Sequence, residues 1–242
     1  MTEQQPTTAW FIKRALYLVL FWIVAISLLL YLAGVNVNWR SRQLVPSASI
    51  ALSTYQQKKV EARYVLNGMS ANVTLPTVID DLEPGDYTIE LTVPGKQSWR
   101  QTMSLAGYQA ATFDSILFVP ITLIPRPATN QENQALNRVQ RFVSKGLLVR
   151  ETDLFDIRER DESGEKLVTR LSVPIEQAVW LTDKKHIVIR AGKSFMLLDA
   201  NGTNITPLFT VTEERPLQLL VWDRGRVLVV ERDGGAQSYE LY

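Results

Sequence analysis

Tyr87-Thr88-Ile89-Glu90-Leu91-Thr92-Val93 places an apolar side chain at every second position. Successive strand residues point to opposite faces, so the stretch reads as a β-strand with one face buried and the other wet. Similar β-rich runs lie on either side, at residues 49–54, 60–66, 98–105 and 112–117. They are separated by Asn67-Gly68, Pro84-Gly85 and Pro94-Gly95, pairs that supply the backbone angles of tight turns. Helical periodicity almost vanishes over this stretch. Strands at such spacing predict a small antiparallel β-sandwich over residues 49–124.

The run Leu82-Glu83-Pro84-Gly85-Asp86-Tyr87-Thr88-Ile89-Glu90-Leu91, followed by Gly95 and Trp99, resembles the second half of a PEGA domain. Tyr64-Val65-Leu66-Asn67-Gly68 is similar to the preceding strand and turn of that family, and Ile116-Leu117-Phe118-Val119-Pro120 to its ending. The Pro-Glu-Gly-Ala tetrapeptide itself is absent, with Lys59-Val60-Glu61-Ala62 near its place.

Residues 125–142 hold Pro125, Pro127, Asn130, Asn133 and several Gln, and read as an interdomain linker with a short helical stretch at 131–141. Beyond it the chain repeats at a period of 40 residues, the length of one propeller blade. Gly146-Leu147-Leu148-Val149-Arg150 recurs as His186-Ile187-Val188-Ile189-Arg190 and as Arg226-Val227-Leu228-Val229-Val230. Phe155 and Phe195 keep the interval, and Asn201-Gly202 marks a hairpin turn. The pattern resembles the WD-like repeats of bacterial extracytoplasmic β-propellers. About two and a half units over residues 143–242 predict an incomplete propeller, with open strand edges and half-covered apolar faces.

No charge interrupts residues 15–35, which would span about 31 Å as a helix, close to the hydrocarbon core of a bilayer. The run has no polar face, and its apolar core exceeds that of a cleaved signal peptide. A retained transmembrane helix over residues 15–37 is expected, after a short tail at 1–14 and before a polar juxtamembrane linker at 38–48. Trp10 and Tyr17 at one end, with Tyr31 and Trp39 at the other, fit interfacial aromatic belts, and Lys13 and Arg14 fit headgroup contacts. Arg40 and Arg42 balance Lys13 and Arg14, so charge counting leaves the orientation open.

The sequence offers little chemistry. Its formal net charge is +1, which builds no field for nucleic acid, and no basic stretch is interleaved with aromatics. The absence of cysteine excludes a disulfide scaffold, a thiolate nucleophile and a Cys-built zinc site. The only histidine, His186, follows Asp183-Lys184-Lys185 and reads as a solvated turn residue. Asp153, Asp156, Glu159, Asp161 and Glu162 are interrupted by Arg158 and Arg160, the pattern of a neutralised hairpin surface. Asp199, Asn201 and Thr203 mimic the start of a calcium loop, but the glycine falls at the fourth place, which predicts a plain turn. Trp99, Trp180, Trp222 and Tyr239 are expected in the core.

The expected fold class is therefore an all-β ectodomain, a small sandwich plus partial propeller-like repeats, on a single N-terminal transmembrane helix. No catalytic, cofactor or metal residues are assigned, and neither nucleic acid nor a small-molecule substrate is expected. The expected partners are the lipid bilayer and a protein, either foreign or a second copy joined through open β edges. The family resemblance implies a non-enzymatic binding or scaffold protein in the plasma (inner) membrane, with its C-terminal region outside the cytoplasm. The alternatives are a subunit of a secretion or pilus-type machine and, lower in order, a membrane-tethered hydrolase.

Overall fold

The computed structural model describes residues 8–33, 35–38, 43–55, 58–139, 142–158, 164–213, 215 and 217–242. The chain is mostly β, with several antiparallel sheets and one apolar N-terminal helix. That helix, α1, runs Thr8–Leu32, so it begins and ends earlier than the expected 15–37 span. Where a linker is expected, β1 (Val35–Asn38) and β2 (Gln43–Pro46) pair antiparallel, with Val35 opposite Pro46 and Asn38 opposite Gln43. The Val-Asn-Val-Asn alternation of β1 has the two-residue period of a strand.

Next come β3 (Ala48–Thr54), β4 (Val60–Leu66), β5 (Met69–Leu75), β6 (Thr77–Leu82), β7 (Gly85–Thr92), β8 (Trp99–Leu105) and β9 (Ala110–Ile116). They form two sheets, ordered β6-β3-β9 and β5-β4-β7-β8. Contacts divide the chain into two units: residues up to Leu52 with Thr77–Tyr87 and Met103–Phe113, and Ser53–Pro76 with Thr88–Thr102 and Asp114–Tyr242. The division cuts through the expected 49–124 domain rather than falling at its end. In the first unit, Ala48, Ile50 and Leu52 of β3 alternate inward along the strand. In the second, Ala62 and Leu66 of β4 and Ile89 and Leu91 of β7 are buried at the same period of two.

The rest of the second unit contains β10 (Arg126–Pro127), α2 (Asn130–Leu136), β11 (Leu147–Arg150), β12 (Asp153–Asp156), β13 (Lys166–Arg170) and β14 (Ile175–Trp180). These are followed by β15 (His186–Ala191), β16 (Ser194–Asp199), β17 (Thr206–Thr210), β18 (Leu219–Trp222), β19 (Val227–Arg232) and β20 (Gly235–Glu240). The sheet orders are β11-β12-β13, β14-β15-β16-β17 and β10-β20-β19-β18. The three repeated segments correspond to β11, β15 and β19.

Among the described residues these sheets close no propeller. They stack in chain order. Leu147, Leu154 and Val168 of the first sheet share a core with Ala178, Trp180, Ile187 and Ile189 of the second. The opposite face of the second sheet, with Val188, Phe195 and Leu197, shares a core with Leu219, Leu228, Val230 and Tyr239 of the third. Phe195, Phe209 and Tyr239 stack in that core, at ring separations of 4.9 and 4.0 Å.

The outer face of the third sheet is covered by the segment read as a linker. Leu136 of α2 packs on Val227 and Val229, and β10 pairs with the free side of β20, Arg126 opposite Ser238. Thr129 and Glu132 form a capping box: Thr129 Oγ1 accepts from the Glu132 amide at 3.3 Å, and Glu132 Oε2 accepts from the Thr129 amide at 2.7 Å. Arg126 donates to both Glu132 oxygens, at 2.9 and 2.6 Å, and Ser238 Oγ donates to Glu132 Oε2 at 3.0 Å. One buried carboxylate thus ties the helix start, β10 and β20 together.

The Arg126 hydrogen bond, reinforced by the Thr129 and Ser238 donors, holds the Glu132 carboxyl at about 2, against an ordinary 4.5. Arg232, donating to Glu213 at 2.7 Å, holds that carboxyl at about 2 as well. A carboxyl depressed in the folded state contributes stability above its unfolded value and loses it as pH falls through the folded one. The thermal midpoint is therefore expected to fall as pH drops from about 5 to about 2, and Glu132→Gln to flatten that decline. An acid limb unchanged in Glu132→Gln would remove Glu132 as its source.

Candidate functional site

The first candidate is α1 itself. Lys13–Leu32 is 20 residues with mean hydropathy 2.6, and no part of it is buried. As a helix it is about 30 Å long, enough to cross a hydrocarbon core. Lys13 and Arg14 lie on this helix and are exposed, as are Tyr17 and Tyr31, which sit 14 residues, about 21 Å, apart along it. Trp10 lies in the first turn of α1. Trp39, Arg40 and Arg42 lie outside the described residues.

The second candidate corrects the reading of His186. It is 3% exposed, not a solvated turn residue, and it is the first residue of β15. Its Nδ1 lies 2.5 Å from Asp183 Oδ2 and its Nε2 lies 3.4 Å from Asp199 Oδ1. Asp199 is its direct ladder partner on β16, and Asp183 belongs to the turn before β15. The Tyr55 ring meets the imidazole edge-on at 6.4 Å. Burial pushes the Asp183 carboxyl up, but the His186 hydrogen bond and charge, with the Lys185 and His186 amides, outweigh it and hold it below the ordinary value. Asp199 lies above its ordinary value because burial outweighs its Asn204 hydrogen bond and the nearby imidazole. A small cavity of about 10 Å³, room for about one water, adjoins His186, Asp199, Asn204, Ser98 and Trp99. The arrangement is a carboxylate–imidazole–carboxylate bridge. With a carboxylate at each ring nitrogen, neither nitrogen is left facing a hydroxyl.

Arg190 points to the same face of β15 and is fully buried. Its guanidinium donates to the carbonyls of Gly192 at 2.9 Å, Arg215 at 2.6 Å and Glu213 at 2.6 Å, and its Nε lies 3.1 Å from Glu176 Oε2. It fastens the segment leading into β18. Nothing in the repeat distinguishes it from its exposed counterpart Arg150, so sequence reading missed it.

The other expected sites resolve locally. Asp199-Asn204 is a hydrogen-bonded turn: Asn204 Nδ2 donates to Asp199 Oδ2 at 2.7 Å and Thr203 Oγ1 to Asn201 Oδ1 at 2.6 Å, while Asn204 Oδ1 accepts from the Arg100 amide at 3.0 Å. Gly202, at φ +84°, is required there, since a Cβ would fall 1.8 Å from the Val168 carbonyl oxygen. Asp153 pairs with Arg170 at 2.7 Å, and Asp156 with Arg158 at 2.7 Å. Glu159, Arg160, Asp161 and Glu162 lie outside the described residues. Trp99, Trp180 and Tyr239 are buried, and Trp222 is half-buried against the α2 face of the third sheet. Among the described residues, no three His, Asp or Glu side chains are disposed to hold a metal.

The third candidate is a surface. On the outer side of the first sheet, Leu148, Phe155 and Leu167 stand in one cross-strand row. Leu167 is 47% exposed and the neighbouring Ile157 is 38% exposed. This sheet is the last in the stack, so no further sheet covers the row among the described residues.

No protein-family model and no curated protein matches the chain.

His186→Ala is expected to lower the unfolding free energy by about 2 kcal/mol at pH 7, because it leaves the half-buried Asp183 and Asp199 carboxylates without their shared imidazole partner. Carboxyl NMR should then show Asp183 titrating higher than in the unaltered chain, since burial is then opposed only by the amides of residues 185 and 186. Unchanged stability and an unmoved Asp183 titration would contradict the bridge.

Proposed function

We propose that the chain is a membrane-anchored extracytoplasmic binding or scaffold protein that acts through protein–protein contacts at the cell envelope. The reading is carried by the pairing of α1, apolar on every side, with a stack of β-sheets whose end face carries the Leu148–Phe155–Leu167 row. An apolar helix without cover has a solvent in lipid, whereas an apolar row at the end of a folded stack has one in another protein. The resemblance of residues 49–124 to a PEGA domain, and of the 40-residue repeats to WD-like units, supports placement in the plasma (inner) membrane with the sheets outside the cytoplasm. In this reading α1 is a retained anchor rather than a cleaved signal.

The full-length chain is expected to stay in the membrane fraction through an alkaline wash and to keep its intact 27.5 kDa mass. A soluble product shortened by the length of α1 would show a cleaved signal. A photo-crosslinker in place of Leu167 is expected to capture one stoichiometric protein in native membranes, and Leu148→Glu in the same chain to abolish the capture while leaving the circular dichroism unchanged. Absence of any adduct at Leu167 would remove this face as the contact.

A further inference from the structure

Edge strands present unpaired backbone groups, and folded proteins protect them with charge, proline, bulges or brevity. Most edges in this chain follow that rule. β6 carries Asp80 and Asp81, β8 Arg100, β9 Asp114, β11 Arg150 and β13 Lys166 and Arg170. β14 carries Glu176 and a bulge, β17 has Pro207 and a bulge, and β18 is four residues long. β10 and β2 each contain a proline, and β1 has four residues.

Among the described edges β5 is the exception. Met69-Ser70-Ala71-Asn72-Val73-Thr74-Leu75 is seven residues with no charge, proline or glycine. It pairs with β4 in unbroken register from Val60–Leu75 to Leu66–Met69, and its first four residues are exposed. On its other side no strand lies among the described residues.

The sequence of β5 also complements itself. Turned end for end about Asn72, it sets Met69 against Leu75, Ser70 against Thr74 and Ala71 against Val73, with Asn72 against its own copy. Each pair matches in polarity, and no like charges meet. We propose that the open edge of β5 is a homodimer interface, in which a second copy of this chain adds its own β5 antiparallel about Asn72. The two four-stranded sheets then run together as one sheet, related by a two-fold axis. A foreign strand would need no such internal symmetry, which is why the second copy is the occupant. The inference rests on the reading of a protein that works through contacts with other chains, and it names one of them.

The chain contains no cysteine, so single substitutions report cleanly. Directly opposed residues in an antiparallel pair have Cα atoms about 4.5–5.5 Å apart, within disulfide reach. Two copies of Ser70 would stand about 14 Å apart, beyond that reach. Under mild oxidation in native membranes, the full-length Asn72→Cys chain is expected to form a disulfide-linked species of twice its mass about tenfold or more faster than Ser70→Cys or Thr74→Cys alone. A mixture of Ser70→Cys and Thr74→Cys chains is expected to crosslink as the Asn72→Cys chain does. Asn72→Lys in the otherwise unchanged chain is expected to give a monomer by light scattering in detergent, with unaltered circular dichroism. Equal rates at the three positions, no dimer at Asn72→Cys, or a disulfide to a different protein there would each overturn the proposal. None of these results depends on the capture at Leu167, so the two readings fail separately.

Discussion

A strand whose residues are apolar on both faces needs two covers, and this requirement organises most of the second unit. All six residues of β15 are buried, as are the first four of β19. Each fully buried Val, Leu or Ile contributes roughly 1.5–3 kcal/mol relative to exposure. Leaving one face of either strand open would therefore forfeit several times the usual effect of a single substitution. The chain meets the requirement by laying consecutive sheets on one another and closing one end with α2. Ile187 and Ile189 go to one core and Val188 to the other. Likewise Leu228 and Val230 face the preceding sheet, while Val227 and Val229 face α2.

The same constraint sets the terms for polar groups in those strands. His186 and Arg190 share a face of β15 with Val188, and both are taken out of water. A buried polar group stripped of its partners destabilises the fold, so each must be met by groups that fold to it. For Arg190 they are three backbone carbonyls and Glu176; for His186 they are Asp183 and Asp199. The polar atoms at the edge of the core thus secure the turns and loops that follow the strands, a structural task that also accounts for the depressed Asp183 carboxyl.

Local patterns were legible in the sequence and distant pairings were not. The alternation around Ile89, the turn pairs and the 40-residue repeat are properties of neighbouring residues, and each maps to an observed strand or strand boundary. The apolar span is of the same kind, although Thr8–Leu32 begins before the charge-free stretch because Lys13 and Arg14 are compatible with helix. The segment from 125 to 139 has the composition of a linker, but its strand pairing is set by β20, more than a hundred residues later. His186 was misread for a related reason. Lys184 and Lys185 are exposed in the turn, but the ladder to Asp199 draws the next side chain inward. Which of the two units a strand within residues 49–124 belongs to depends on the sheet it joins, and strand composition carries no such label.

The repeat also explains why the two ends of the stack differ. Three consecutive units supply three sheets, and each sheet covers only the one before or after it. A chain built this way needs something other than a repeat at each end. At the C-terminal end that cover is α2, with β10 closing the last sheet edge, and the buried Glu132 fixes both at once. At the other end the Leu148–Phe155–Leu167 row has no equivalent among the described residues, and Arg150, 5.2 Å above the Phe155 ring, shields only part of it. Cover from within the chain costs no association entropy, whereas cover from another molecule must repay it. Confinement to a membrane lowers that cost by raising the local concentration of anything held in the same plane. On the proposed reading of α1 as an anchor, the chain can therefore leave a modest apolar face and an unprotected strand edge exposed to partners that would bind too weakly in free solution.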